Sequence, residues 1–537
     1  MRLFYSKNNR KYVAKAQNSD VEFDFRVVGN RTTVIAKALN DITLVKADDI
    51  VPFNVNFKDL YFLNGYQSWT DTKEFTLAKR LRNIKKSPHI ITHMFAMDKY
   101  GDSSFYKYSI KKSHGYDLFY SKGKHEIFIC SYNSNVAYLI IELIKDRRSI
   151  HLISDVENIR LKKGEEITLF DYSLEYELKE GMKYFEQDFP KKNTDKIFGY
   201  TSWYNYYQNI NEEIILRDLS ALDNRFNLFQ IDDGYETFVG DWLDIDPKKF
   251  PHGLKPIVDK IHEKGFKAGI WLAPFVAESK SKLFNEHPDF LKKDKHGKPM
   301  KSGGNWSGHY ALDLDNEEVR KYIKKCLTYY VELGFDFFKL DFLYASGIGT
   351  YKGRSRAMVQ SDAYKFLREI LKDKLILGCG AHVFNSINNF DYLRIGPDVS
   401  LVFDDVVYMR LFHRERISTK VTLQNTIYRS FMNDRLFGND PDVFLLRDDN
   451  IQLTTKQKEA LITINALFGS VLMTSDNIAT YDKSKKELLE KSLELFKNGV
   501  VKEYKTLHHL IKVTYELNGE IHGFTYNTKK GELSNER

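Results

Sequence analysis

The chain has 537 residues, and its 42% hydrophobic and 14% aromatic content excludes a disordered polymer and predicts large buried cores. Its 81 basic and 73 acidic residues nearly cancel, and no long basic stripe is interleaved with aromatic residues, so we expect no nucleic-acid partner. No apolar run reaches about 20 residues, so we expect no membrane span.

The cysteine content indicates the compartment. Cys130, Cys326 and Cys379 fit no CxxC spacing and cannot all pair, which is typical of a reducing environment and argues against a disulfide or zinc framework. The first residues contain no apolar stretch typical of a signal peptide. We therefore predict a cytoplasmic protein with no metal or other cofactor, and the sequence allows a homo-oligomer as well as a monomer.

The N-terminal part, residues 1–190, consists of short alternating segments separated by Asn, Asp, Lys and Gly, such as Ala137-Tyr-Leu-Ile-Ile-Glu-Leu. Alternation of this kind predicts antiparallel strands, and their number and short spacing predict a β-sandwich domain. A polar linker follows at Phe189-Pro-Lys-Lys-Asn-Thr-Asp195.

Residues 195–481 alternate between apolar strands and amphipathic helices, which predicts parallel β/α units. Eight such units close into a barrel. The predicted strands are Ile197–Ser202, Leu228–Ile231, Lys267–Leu272, Asp336–Leu340, Leu375–Leu377, Tyr392–Ile395, Val443–Leu446 and Ser470–Met473, with helices such as Pro256–Lys264 and Glu317–Leu333 between them.

The C-terminal part, residues 482–537, begins with a predicted helix at Lys483–Asn498 and continues with predicted strands at His509–Tyr515 and Glu520–Asn527. The predicted fold class is therefore α/β, a (β/α)8 TIM barrel with an N-terminal antiparallel β-sandwich domain and a small C-terminal β domain.

Polar residues at the ends of the predicted barrel strands are the candidates for chemistry, because the site of such a barrel forms at the carboxyl ends of its strands. Lys339 and Asp341 are two residues apart and share one face of a strand tip, where we expect the lysine to keep the carboxylate ionised. Arg394 and Asp398 form a second cation and carboxylate pair. Two carboxylates from two strand ends are what acid/base or nucleophile chemistry on a glycosidic bond requires.

The five tryptophans also lie near these loops, at Trp69, Trp203, Trp242, Trp271 and Trp306. An indole offers a flat face to a sugar ring and an N–H to a hydroxyl, although packing in a core is the alternative for each of them. The adjacent acids Asp232 and Asp233 would clamp sugar hydroxyls or hold a metal.

An ordered series of motifs resembles the α-galactosidases of glycoside hydrolase family 36, the melibiase type. The series includes Asn64-Gly-Tyr-Gln-Ser-Trp, Asp232-Asp-Gly, Gly269-Ile-Trp-Leu-Ala-Pro-Phe, Phe338-Lys-Leu-Asp-Phe, Leu377-Gly-Cys-Gly, Arg394-Ile-Gly-Pro-Asp and Asn439-Asp-Pro-Asp. The motifs run from about residue 64 to about residue 480 in the same order as in the family, so the resemblance covers most of the chain.

The resemblance implies a retaining exo-acting α-galactosidase for small oligosaccharides, with Asp341 as nucleophile and Asp398 as general acid/base. It also implies that Asp232 and Asp233 hold O4 and O6 of the sugar, that Lys339 lies near O3 and O4, and that Arg394 lies near O2. Cys379 would lie on the 2-position side. The implied pocket walls are Trp271 and Trp203, together with Trp69, which the β domain contributes. His382 lies where relatives tend to carry proline, in a polar loop that borders the 2-position, so this loop bears on which sugar is accepted.

Three alternatives stay open at this point. An α-N-acetylgalactosaminidase would share the mechanism and differ at the 2-position of the sugar. A barrel that binds sugar without catalysis is compatible with the fold, although it has little reason to keep both carboxylates with their cations. A metal-dependent hydrolase would use Asp232 and Asp233, but the sequence lacks HxH and HExxH spacings.

Overall fold

A computed structural model describes residues 1–79, 90, 92–94, 96–144, 148–349, 351–404 and 413–535 of the chain. Within these residues, no helix combines the length and the apolar character that crossing a bilayer requires.

The N-terminal part is a sandwich of two antiparallel seven-stranded sheets. One sheet has the order β2-β1-β5-β12-β11-β8, with β13 also paired to β5, and the other has the order β3-β4-β14-β10-β9-β6-β7. Apolar residues of both sheets, such as Leu44, Ile141, Phe119 and Ile129, form the core between them. The strands are β1 Arg2–Lys7, β2 Arg10–Ala14, β3 Val21–Val28, β4 Arg31–Ala38, β5 Ile42–Pro52, β6 Leu60–Leu63, β7 Glu74–Phe75, β8 Lys112–Tyr116, β9 Leu118–Lys122, β10 Ile127–Ser131, β11 Leu139–Ile144, β12 Ser149–Ser154, β13 Arg160–Leu161 and β14 Glu166–Glu175.

The middle of the chain forms a parallel barrel, in which the sheet order is β24-β23-β22-β21-β17-β16-β15-β26-β25. Its strands are buried on both faces, as expected when helices cover a parallel sheet. The strands of this part are β15 Ile197–Thr201, β16 Leu228–Ile231, β17 Lys267–Leu272, β18 Val276–Glu278, β19 Lys301–Gly303, β20 His309–Ala311, β21 Phe337–Leu340, β22 Leu375–Gly378, β23 Tyr392–Arg394, β24 Gly438–Asp440, β25 Val443–Phe444 and β26 Val471–Thr474, of which β18, β19 and β20 form a small antiparallel sheet.

The seventh barrel strand differs from the prediction, which began it at Val443. It starts earlier and is split, since β24 pairs with β23 and β25 pairs with β26. Pro441 has no N–H to give to a ladder, and Asp442 has a positive φ of 76°, so the strand is interrupted between the two halves. The interruption places Asp440 and Asp442 at the carboxyl end of the barrel strands, where Asp440 lies opposite Arg394.

The helices follow local capping rules. The helix Glu317–Leu333 agrees with the prediction because Asn316 caps its N-terminus and Gly334, with φ of 103°, ends it. The helices are Leu178–Asp188, Trp203–Tyr206, Glu212–Ala221, Lys255–Glu263, Lys282–Glu286, Glu317–Leu333, Arg356–Leu371, Thr419–Tyr428, Thr455–Phe468 and Lys483–Asn498, with short 3₁₀ turns at Leu77–Lys79, Met97–Lys99, Leu343–Gly347, Phe384–Ser386, Ser430–Met432 and Ile478–Thr480.

The C-terminal part is a four-stranded antiparallel sheet with strands β27 Val500–Leu507, β28 Leu510–Leu517, β29 Glu520–Asn527 and β30 Glu532–Asn535. The sequence predicted β28 and β29 but not the other two strands. With this sheet, the barrel and the sandwich, the predicted fold class is confirmed.

The sandwich and the barrel share a buried interface at the carboxyl ends of the barrel strands. Arg429 is fully buried and donates to the carbonyl oxygens of Ser68, at 2.6 Å, and Ile395, at 2.8 Å. This side chain therefore ties the sandwich segment that carries Trp69 to the end of strand β23.

Candidate active site

A cavity of about 400 Å³ lies at the carboxyl ends of the barrel strands. Eight of the ten residues predicted for the site line it, namely Trp69, Trp203, Asp232, Asp233, Trp271, Lys339, Asp341 and Asp398. Barrel geometry explains this convergence, because each of these barrel residues lies at or just beyond the end of a parallel strand.

Asp341 follows strand β21 and is held by two donors. The indole N–H of Trp271 donates to its Oδ2 at 3.0 Å, and the backbone N–H of Phe342 donates to its Oδ1 at 2.8 Å. Phe342 has a positive φ of 53°, an uncommon conformation for a bulky residue that turns the chain sharply after the carboxylate. Both carboxylate oxygens are thereby fixed in orientation at the cavity wall.

The charge state of Asp341 departs from the expectation that Lys339 would dominate it. Burial raises the pKa of Asp341 to about 6, the Lys339 ammonium opposes this rise, and the Asp398 carboxylate adds to it. Lys339 has less influence than predicted because its Nζ donates instead to Asp232 Oδ2, at 2.8 Å. At pH 7 Asp341 is still mainly ionised.

Asp232 is the acceptor at the centre of a buried polar group. Besides the Lys339 ammonium, the Thr201 hydroxyl at 3.0 Å and the Gln230 amide at 2.7 Å donate to its Oδ2. Burial disfavours the charged ammonium group of Lys339 and acts to lower its pKa. The neighbouring Asp232 carboxylate acts in the opposite direction and more strongly, so the pKa of Lys339 is raised. The pair is therefore a fixed anion and cation at the bottom of the cavity.

Asp233 points to a different set of partners. The indole N–H of Trp306 donates to its Oδ2 at 2.8 Å, and the Gln208 amide donates to both oxygens at 3.1 and 3.2 Å. Burial raises the pKa of Asp233, while hydrogen bonds from Glu236, Trp306 and Gln208 partly offset the rise. Burial and the Asp233 carboxylate raise the pKa of Glu236 well above its ordinary range, so Glu236 is the protonated member of this pair.

Arg394 is shared among three carboxylates rather than reserved for Asp398. Its guanidinium contacts Asp398 at 3.1 Å, Asp440 at 2.7 Å and Asp442 at 2.9 Å. Burial opposes the charge of Arg394, but Asp440 and Asp442 raise its pKa well above the ordinary value. Burial raises the pKa of Asp442 to about 7 despite the facing guanidinium, and the Tyr204 hydroxyl donates to the same carboxyl group.

Arg394 and Cys379, the other two predicted site residues, lie behind the cavity wall. Cys379 is 1% exposed and Arg394 is 4% exposed, and neither lines the cavity. Burial raises the pKa of the Cys379 thiol well above its ordinary value, so the thiol is neutral. Arg394 acts on the cavity through its contact with Asp398, which does line it.

The sandwich closes one side of the cavity through Trp69. Its indole lies against Gly380, where a Cβ would lie 3.0 Å from two ring carbons and would press the indole out of its present position. Gly380 also has a positive φ of 62°. The indole N–H of Trp69 is buried and has no hydrogen-bond partner among the described residues, so a ligand hydroxyl could accept from it.

His382, three residues after Cys379, turns away from the cavity into the domain interface. Its ring stacks on Tyr138 with centroids 3.9 Å apart, and its Nε2 lies 3.2 Å from Asp117 Oδ2. Since His382 is not a lining residue, the polarity of its loop serves the packing of the sandwich against the barrel.

The outer part of the cavity wall was not predicted. It consists of Met97, Tyr100, Gly304, Asn305, Trp306, Phe342, Pro397, His413, Glu415 and Ile417. Trp306 was noted as a tryptophan near a loop but not assigned to the site, and its bond to Asp233 could not be read from the sequence. Trp242, noted in the same way, is 1% exposed, contacts Trp271 edge-on and does not line the cavity.

Comparisons with known proteins agree with this architecture. Residues 190–367 match the family model described as melibiase. An α-galactosidase of Pediococcus pentosaceus is 38% identical over 103 residues, which cover 18% of this chain and 13% of that protein. Matched segments thus span only a small part of the curated relatives, including 25% of an Escherichia coli α-galactosidase.

Two solved structures extend the similarity to the fold of nearly the whole chain. An α-galactosidase from Thermus thermophilus, solved with p-nitrophenyl α-D-galactopyranoside, has a TM-score of 0.72 at 23% identity and covers 93% of this chain and 98% of its own. A GH36 α-galactosidase from Geobacillus stearothermophilus has a TM-score of 0.64 at 11% identity and covers 98% and 81%. The family match over residues 190–367 and the shared fold together confirm the resemblance, predicted from the sequence, to the melibiase-type α-galactosidases of glycoside hydrolase family 36.

Proposed function

We propose that the protein is a retaining, exo-acting α-galactosidase that hydrolyses terminal α-galactosyl residues of small oligosaccharides by double displacement. The observation that carries this proposal is the pairing of Asp341 and Asp398 across one cavity, with the charged group of Asp232, Asp233 and Lys339 beside them. A cavity of about 400 Å³ with aromatic walls and a cluster of charged side chains suits one sugar ring and part of a second.

In the first step, an Asp341 oxygen attacks the anomeric carbon while Asp398 gives its proton to the departing glycosidic oxygen. The bond to the leaving group breaks as the bond to Asp341 forms, which gives a covalent galactosyl ester of β configuration. The N–H groups of Trp271 and Phe342 fix the direction of the attacking carboxylate, so little reorientation is needed during the reaction.

In the second step, Asp398 takes a proton from a water molecule that attacks the same anomeric carbon, and Asp341 leaves as a carboxylate. Two inversions at one carbon give α-galactose as the first product. Asp341 must be ionised at the start of each cycle, and a pKa of about 6 allows this at neutral pH.

The glycone is held by the acid pair and the lysine. Asp232 and Asp233 clamp O4 and O6 of galactose, and Lys339 reaches the O3 and O4 side. The support for these contacts is that all three polar groups line the cavity and are pre-positioned by bonds to buried partners. Charged hydrogen bonds are each worth about 1.5–3 kcal/mol, enough to distinguish an axial from an equatorial O4.

The decisive experiment is the Asp341→Ala variant with and without azide. We expect turnover of p-nitrophenyl α-galactoside to be lost, and azide to restore consumption of the substrate with β-galactosyl azide as the product, because azide then attacks the face that Asp341 has vacated. Proton NMR of the wild-type reaction should show α-galactose as the first product.

Asp336→Ala is the matched control, because Asp336 immediately precedes strand β21 at the end opposite to Asp341 and contacts His262 at 2.8 Å outside the cavity. It should keep wild-type turnover. An Asp341→Ala variant that retains more than about a tenth of wild-type kcat would refute the assignment. Faster turnover of p-nitrophenyl N-acetyl-α-galactosaminide than of the galactoside would move the substrate assignment to the 2-acetamido sugar.

A further inference from the structure

Strand β3 is the open edge of a sandwich sheet. In the described part of the chain, β4 is the single strand paired with it. A two-residue turn at Gly29 and Asn30 joins the two strands, and Gly29 has a positive φ of 60°. Residues beside such a turn form a hydrogen-bonded pair, so Val27, Phe25 and Phe23 direct their N–H and C=O groups toward the open edge, whereas those of Val21 are bonded to Asn18.

This edge is apolar and exposed. Phe25 is 58% exposed, Val27 69% and Val28 78%. Natural sheets protect open edges with lysine, proline, bulges or very short strands, because an exposed, flat, apolar edge pairs with other chains.

The other edge strands of the sandwich carry such protection. Strand β2 begins with Arg10 and Lys11, strand β7 has two residues, and strand β8 is almost entirely buried. Strand β3 has eight residues and contains neither lysine nor proline, and its charged residues Glu22, Asp24 and Arg26 all lie on one face. Its other face, with Phe25 and Val27, is left apolar and exposed.

The sequence of β3 is complementary to itself. An antiparallel pairing of two copies, with a two-fold axis at Phe25, places Asp24 opposite Arg26 of the partner subunit and Arg26 opposite Asp24 of the partner subunit. On the other face, Phe23 lies opposite Val27 of the partner subunit, and the two Phe25 rings meet at the axis. Directly opposite pairs of unlike charge and of aromatic with β-branched residues are the pairs that stabilise a sheet.

The charged residues of β3 are available for such a pairing. Arg26 and Asp24 form a 2.6 Å ion pair within the strand, with side chains 63% and 50% exposed. In the dimer, the ion pair within each strand is replaced by an equivalent pair between the two strands, so every charge still has a partner of opposite sign. None of the β3 residues lines the catalytic cavity, so pairing here leaves the cavity open.

We propose that two copies of this chain form a symmetric dimer through antiparallel pairing of their β3 strands, which joins two seven-stranded sheets into one continuous sheet. The dimer is independent of the proposed catalytic function.

The test is a charge exchange across the axis, with the molar mass measured by light scattering and by sedimentation over a wide range of concentrations. The wild-type protein should have a measured molar mass of twice the 63.0 kDa of one chain. Arg26→Asp alone and Asp24→Arg alone each place two like-charged pairs opposite one another, so each should weaken the dimer at least about tenfold.

Mixing the two single variants should restore the dimer, since every charge then faces its opposite in a heterodimer. Val500→Lys is the matched control, because Val500 is a 50% exposed residue of β27, an edge strand of the C-terminal sheet, and its replacement should leave the dimer intact. Turnover of an aryl galactoside and thermal melting verify that each variant is folded.

A wild-type chain that stays monomeric at all concentrations would overturn the proposal. So would a dimer that neither single variant weakens, because its interface would then lie elsewhere. Single variants that are monomeric and remain so when mixed would refute the proposed register and with it the dimer.

Discussion

The hydrogen bond from Trp306 to Asp233 allows a sharp test of the glycone clamp, through the Trp306→Phe variant. This change keeps an aromatic ring in the cavity wall and removes the indole N–H that lies 2.8 Å from the carboxylate. Asp233 then depends on Gln208 alone among its amide and indole donors, and its carboxylate is less firmly directed toward the sugar.

The expected magnitude follows from the bond that is lost. A hydrogen bond to a charged group contributes about 1.5–3 kcal/mol, and each 1.36 kcal/mol changes a rate tenfold, which gives a loss in kcat/KM of about 10- to 150-fold. The two longer contacts from Gln208 remain, so we expect the lower end, about tenfold. The loss should be equal for melibiose and for p-nitrophenyl α-galactoside, because both present the same galactose.

Trp242→Phe is the matched control. The rings of both tryptophans contact Trp271, with centroids 5.8 Å apart for Trp242 and 6.1 Å apart for Trp306, but the indole N–H of Trp242 has no partner within the part of the chain that the structure describes. Trp242 is 1% exposed, so its truncation should lower thermal stability with little change in kcat/KM. A loss below about twofold for Trp306→Phe, or equal losses for the two variants, would refute the reasoning.

Asp398→Ala should reduce turnover of melibiose far more than turnover of p-nitrophenyl α-galactoside, because an activated phenol leaves without a proton; equal losses would contradict the acid role. The acid limb of kcat/KM for the aryl substrate should fall near pH 6, where Asp341 becomes protonated. An acid limb far from pH 6 would show that another group controls it. His382→Ala should lower the free energy of unfolding by about 2–5 kcal/mol, because removing a ring that is buried against Tyr138 leaves a cavity in the interface, while the preference for galactose over N-acetylgalactosamine stays unchanged in competition assays.

Much of the barrel could be predicted because its signals are local. Strand β21 ends at Leu340, as the apolar run Phe335 to Leu340 indicates, and the helix after Asn316 ends at Gly334, as its caps indicate. Strand β27 was missed because charged residues such as Lys502 and Glu503 interrupt its alternation, so the segment shows no apolar face.

The candidate site likewise has a part that could be predicted from the sequence and a part that could not. Asp232, Asp341 and Asp398 follow barrel strands, so their convergence could be deduced from the closure of the sheet. The outer wall could not be deduced, because Tyr100, Asn305 and His413 come from separate loops that meet through tertiary packing alone. The same holds for Arg394, whose sharing with Asp440 and Asp442 depends on the interruption of the seventh strand at Pro441.

The contact of Trp69 with Gly380 has a consequence for how activity arises during folding. One wall of the cavity belongs to the sandwich, and Arg429 secures that wall from the barrel side. A barrel that has reached its native strand order without the sandwich lacks a side of its own pocket, together with the buried indole N–H of Trp69. With the function proposed above, turnover begins only when the two parts dock, so its onset during refolding measures assembly rather than barrel formation.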